Sequence, residues 1–147
     1  MEKGINEFIP YLEKIFDLPE VDMRTYSPLV LAYIGDGIYD VIIRTIVVAH
    51  GNSQPNKLHK KTSRLVKASA QSAMIEAIKE DLTEEEMKVY KRGRNAKSPT
   101  MAKNASMADY RRATGFEALM GYLYLQGEME RMIELIKKGL EKSEEKI

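Results

Sequence analysis

Two glycine-punctuated apolar segments constrain this chain more than anything else in it: Leu31-Ala32-Tyr33-Ile34-Gly35-Asp36-Gly37 and Phe116-Glu117-Ala118-Leu119-Met120-Gly121-Tyr122. Each sets a single carboxylate among residues that otherwise belong in a helical core. A carboxylate on an apolar face is expensive to bury unless it is paired or bound to a metal. The glycine beside each one lets helices pack closely, which suggests a shared acidic pocket between two packed helices. A hard cation such as Mg²⁺ requires oxygen ligands of this kind.

The apolar period is helical nearly everywhere. Ile5, Phe8, Ile9, Leu12, Ile15 and Phe16 predict an N-terminal amphipathic helix. It should stop near Asp17, because Leu18-Pro19 disfavours the helical backbone. Ser27-Pro28 has the form of an N-cap followed by proline at the first helical position. A long helix should run from there to His50-Gly51. After the loop at 51–56, one basic amphipathic helix is expected, with Leu58, Leu65, Val66, Ala70, Met74, Ile75 and Ile78 on its apolar face. Thr83-Glu84-Glu85-Glu86 forms a capping box that opens a short helix ending near Arg92. Gly93 to Ser106 contains Gly, Pro, Asn and Ser with little apolar content and reads as a long surface loop. Tyr110 to Leu125 is a second buried helix, and Met129 to Leu140 a final amphipathic one, with a tail over 141–147 expected to fray. The class is all-α, with residues 1–147 as a single domain and 1–26 as its N-terminal helix and connection.

Composition removes several chemistries. The chain has 147 residues and no cysteine, so disulfides, thiolate zinc sites and a cysteine nucleophile are excluded. His50 and His59 are its only histidines, which argues against a multi-histidine metal site and leaves oxygen ligands. His50 reads as a helix end and His59 as a surface residue. No apolar run is long enough to cross a bilayer, and the N-terminus, with Glu2, Asn6 and Glu13, does not read as a secretory signal. The expectation is a cytoplasmic protein.

The net charge of +1 conceals a segregated pattern. No Asp or Glu occurs between Asp40 and Glu76, where Lys57, Lys60, Lys61, Arg64 and Lys67 fall. A second acid-free stretch between Glu86 and Asp109 carries Arg92, Arg94, Lys97 and Lys103. Basic blocks of this kind suit a polyanionic partner. Taken alone, the 57–67 block would ordinarily be a solvated helix face, whereas the length of the Gly93–Ser106 loop points to function or disorder. Asp40, one turn beyond Asp36, is expected to pair with Arg44 at i+4 rather than join the acidic pocket.

Leu31-Ala32-Tyr33-Ile34-Gly35-Asp36-Gly37-Ile38 resembles the signature helix of the ribonuclease III family, and Thr114-Gly115-Phe116-Glu117-Ala118-Leu119-Met120-Gly121 resembles its second catalytic helix. The chain is most similar to the small bacterial subfamily called Mini-ribonuclease III, which has the nuclease domain without an appended double-stranded-RNA-binding domain. With that subfamily it shares the Ala-Tyr-Ile-Gly-Asp form of the signature, the Leu58–Arg64 segment and the Lys91–Lys97 segment. The likeness runs from about Leu29 to Leu125.

The resemblance implies a helical nuclease domain that dimerises and cleaves double-stranded RNA with Mg²⁺, Mn²⁺ being able to substitute. Asp36 and Glu117 fall on the family's catalytic and metal-holding carboxylates. They would activate water for in-line attack, leaving 5′-phosphate and 3′-hydroxyl ends. Lys60, Lys61, Arg64, Lys67, Arg92, Arg94, Lys97 and Lys103 would contact the RNA. The implied substrate is precursor large-subunit (23S) ribosomal RNA, with a ribosomal protein as a further candidate partner. Ala32 and Thr114 stand where classical members of the family carry two more carboxylates, a departure shared by the Mini-ribonuclease III subfamily. A catalytically silent, dimeric RNA-binding protein that assists ribosome assembly is the alternative those two positions keep open.

Overall fold

The computed structural model describes residues 7–97 and 106–143. Among them are seven α-helices and no strand: α1 (Phe8–Phe16), α2 (Pro28–His50), α3 (Pro55–Val66), α4 (Ala68–Ile78), α5 (Glu84–Asn95), α6 (Met107–Leu125) and α7 (Met129–Lys142). The all-α expectation holds, and no described helix is long and apolar enough to cross a membrane.

Helix α6 is the axis of the fold. Its residues Ala113 to Phe116 and Ala118 to Gly121 are buried, and α2, α4, α5 and α7 pack around it. Tyr39 of α2 meets Phe116 edge to face, with ring centroids 5.0 Å apart. Ile43, Ile75, Ile78, Leu119 and Met132 close the same core with almost no exposure. Local chemistry sets the helix starts. Ser27 Oγ accepts from the Val30 amide at 3.2 Å, and Ser106 Oγ accepts from the Asp109 amide at 3.0 Å. At α5, Thr83 and Glu86 exchange backbone-to-side-chain bonds in the expected capping box. The Glu86 carboxylate is also buried against Arg131 at 2.8 Å, which fastens the start of α5 to α7. Asp40 pairs with Arg44 at 2.7 Å, as its i+4 spacing implied.

Several boundaries differ from the sequence expectation, the start of α6 at Met107 rather than Tyr110 among them. The single basic helix is two, α3 and α4, separated at Lys67, whose backbone is extended (φ −64°, ψ 159°). One straight rod could not serve both neighbours: α3 packs on α2, whereas α4 lies against α6 and α7. Helix α5 does not end at Arg92 but continues to Asn95, so Gly93 and Arg94 are helical rather than in a loop. Gly93 is retained in the helix because α5 crosses α6 there, with Gly115 and Ala118 against it. The rest of the expected loop is described only at Ala96, Lys97 and Ser106; Lys103 lies outside the described residues, as do Ile5 and the tail beyond Ser143. Helix α1 ends as expected at Asp17, which takes a left-handed backbone (φ 50°). None of the α1 residues is buried; its apolar side faces shallow grooves lined by Ile34, Tyr124 and Leu125 and, at Phe8, by Ile38, Val41 and Met129.

Candidate active site

Helices α2 and α6 cross backbone to backbone. A methyl group at Gly35 would run into the Glu117 carbonyl oxygen, and one at Gly121 into that of Leu31. Only glycine permits this approach at the two positions. The crossing sets Asp36, next to Gly35, beside Glu117, one turn before Gly121, so that the two acids act directly on one another. The structure brings the two sequence-predicted carboxylates together at this crossing.

The two acids sit in unlike surroundings. Asp36 is exposed, which corrects the expectation that both carboxylates would lie within the apolar packing. The α2 face at Asp36 turns away from the core, whereas Glu117 is largely enclosed where α2 and α4 meet α6. Burial pushes the Glu117 carboxyl up to about 8, with the charge of Asp36 and a hydrogen bond to it acting in the same direction. A hydrogen bond from Gln71 acts the other way: its Nε2 donates to Glu117 Oε2 at 3.3 Å. Sequence reasoning missed Gln71. Its signal was a lone amide on the otherwise apolar stripe of Ala70, Met74, Ile75 and Ile78.

The pair fits a divalent cation by its donor chemistry. Two hard oxygens are held together against their mutual repulsion, and a cation between them would relieve it. Among the described residues no group of three or more His, Asp or Glu forms a fuller metal cage. Ala32 and Thr114 are both buried by packing, and Thr114 Oγ1 donates to the Tyr110 carbonyl at 3.0 Å. Most coordination positions would therefore fall to water and to a phosphate-bearing substrate.

The basic residues divide into two groups. Lys60, Lys61 and Arg64 are exposed on α3, and exposed Lys67 forms the break between α3 and α4, rather than sharing one helix with them. That break lies close to Glu117, since Gln71 Nε2 reaches both the Val66 carbonyl at 2.8 Å and Glu117. In the second group, Arg92 is exposed and Lys97 follows the end of α5, whose Gly93 rests on the turn of α6 that contains Glu117. Arg94 is not a loop cation: it is half-buried, with its guanidinium 5.6 Å from the Tyr90 ring centre.

Comparison with known proteins agrees with this architecture. The model of the ribonuclease III domain matches residues 29–128. A Mini-ribonuclease 3 of Thermoanaerobacter is 45% identical over 145 residues, spanning 99% of this chain and all of the relative. One from Clostridium tetani is 56% identical over 117 residues, 79% of this chain and 78% of the relative. A crystal structure of a Fusobacterium nucleatum protein superposes with a TM-score of 0.74 at 32% identity, covering 80% of this chain and 96% of that one. The chain belongs to the ribonuclease III family, in the branch of the Mini-ribonuclease 3 proteins.

Proposed function

We propose that this endoribonuclease cleaves double-stranded RNA at the Asp36–Glu117 pair in a divalent-metal-dependent hydrolysis, and that its task is maturation of the ends of precursor 23S ribosomal RNA in the cytoplasm. The observation that carries the reading is the approach of those two carboxyl groups across the Gly35–Gly121 crossing. Asp36 and Glu117 would hold Mg²⁺, or Mn²⁺ in its place. When bound, the cation supplies the positive charge that makes a water acidic enough to attack and that offsets charge on the phosphate. The protein's part is to present two oxygens in a fixed relation. Exposed Asp36 faces the substrate side, while enclosed Glu117 is held from behind by Gln71.

Duplex RNA presents a deep, narrow major groove that side chains cannot read, so recognition falls on phosphates and 2′-hydroxyls. Lys60, Lys61, Arg64 and Lys67 at α3 and its end, and Arg92 and Lys97 at the end of α5, supply charge for such contacts. Lys103 and Arg94 are kept as candidates, Arg94 through guanidinium hydrogens that stacking on Tyr90 does not use. Two strands need two sites, which favours a homodimer. The solvent face of α2 supports it: Val30, Tyr33, Val41 and Val48 are exposed along one side, Tyr33 at 82%. The chain would then act as one nuclease domain per protomer.

The test is incubation of purified protein with a duplex RNA and its single strands, with and without Mg²⁺. Mg²⁺-dependent cuts confined to the duplex, with 5′-phosphate ends, are expected. Binding without cleavage under all divalent cations would favour the silent RNA-binding alternative.

A further inference from the structure

We propose that Gln71 is a positioning residue for Glu117, fixing its carboxylate for cation binding and tying it to the end of the basic helix α3. The proposal rests on the active-site reading above. Gln71 is 2% exposed. Its Nε2 has two hydrogens and two acceptors, the Val66 carbonyl at 2.8 Å and Glu117 Oε2 at 3.3 Å. The amide cannot be reversed, because its oxygen would then face the Val66 carbonyl oxygen. In the orientation present, Oε1 is buried without a hydrogen-bond partner among the described residues.

That orphaned oxygen costs stability, so what holds the side chain in place is its donor side. A buried, unmatched acceptor destabilises a fold; an apolar residue of the same shape would remove that penalty but leave the Val66 carbonyl and Glu117 Oε2 without their donor. What only the amide provides is the donor side. It does two things at once. It satisfies a carbonyl in the last turn of α3, which has no partner within its own helix. It also holds one of the two Glu117 oxygens, leaving the carboxylate a defined orientation toward Asp36. The neighbouring carbonyl of Leu65 is likewise taken by a core side chain, Tyr39, whose hydroxyl donates at 3.5 Å. The end of α3 is thus pinned from α2 and α4, and the pin from α4 is shared with Glu117.

The experiment measures Mn²⁺ binding to the full chain by electron paramagnetic resonance, with melting temperature, duplex binding without divalent cations, and cleavage kinetics on the same preparations. Gln71→Met keeps the shape and removes the donors; Gln71→Asn keeps the amide and shortens its reach; Glu117→Gln is the reference. Fixing a ligand from behind is typically worth roughly 10–100-fold in metal affinity. Both Gln71 variants should therefore weaken Mn²⁺ binding by at least about tenfold and lower kcat, with KM for the duplex and cation-free RNA binding changed by less than roughly twofold. If Gln71→Met does not fold, Gln71→Asn decides. Mn²⁺ affinity within about twofold of wild type in the Gln71 variants, alongside a clear loss in Glu117→Gln, overturns the role of Gln71 alone. Unchanged affinity in Glu117→Gln as well overturns the active-site reading on which it rests.

Discussion

Replacing Glu117 with Gln should stabilise the protein in the absence of divalent cations, and more so as the pH rises. In the fold the Glu117 carboxyl is pushed from 4.5 up to about 8, chiefly by burial and then by Asp36. An unfolded chain loses this proton near pH 4.5, the folded one only near pH 8. Between those values the native state binds more protons, so wild-type stability falls as pH rises through the window and levels off above it. At about 1.4 kcal/mol per pH unit the limit is on the order of 5 kcal/mol, and relaxation around the group brings the working figure to about 2–3 kcal/mol. Glutamine has no proton to lose, keeps the volume, and can donate its amide to Asp36. Thermal melts with a chelator, at about pH 5 and about pH 8.5, should show near-equal stability at the lower pH. At the higher pH the variant should melt about 4–10 °C above wild type. Equal melting temperatures at the higher pH, or a gain of the same size at both, would refute the burial and repulsion assigned to this site.

Gly35→Ala should cost well over roughly 3 kcal/mol or prevent folding, because its methyl meets the Glu117 backbone rather than a side chain that can move; urea denaturation measures it. Lys60→Ala with Lys61→Ala should leave stability within about 0.5 kcal/mol, since both residues are exposed on α3. In the same variant, duplex binding should weaken and the slope of log affinity against log salt should fall by about one for each phosphate contact removed. Arg94→Ala, unlike a change in a solvated loop, should lower stability by about 0.5–1 kcal/mol through loss of its packing on Tyr90, read from the shift in denaturation midpoint.

The acidic pair was legible in the sequence because its cause is local: a glycine beside one acid and one turn from the other fixes which helices can touch. Caps were legible for the same reason, as Ser27 and Thr83 act within three residues of themselves. The break at Lys67 was not legible. No proline or glycine marks it, and it follows from α3 and α4 having different neighbours, a tertiary demand that periodicity alone does not carry. Gly93 misled in the opposite direction. In sequence it signals a loop, whereas its lack of a side chain serves the close crossing of α5 on α6 inside a helix. Exposure of Asp36 and enclosure of Glu117 also escaped the sequence, because both acids sit in similar apolar surroundings and only the path of α4 distinguishes them. Gln71 belongs to that same path.

The most direct test of the assignment is cleavage of a defined RNA duplex by Asp36→Asn across a Mg²⁺ titration, with duplex binding measured on the same protein. Asp36 is exposed, so the substitution leaves the core untouched while removing one of two charges from the cation site. Wild-type RNA binding and a melting temperature no lower than wild type are expected, with cleavage reduced by at least about a hundredfold at limiting Mg²⁺. Cleavage near the wild-type rate under limiting Mg²⁺ would contradict the assignment and place the chemistry elsewhere in the molecule.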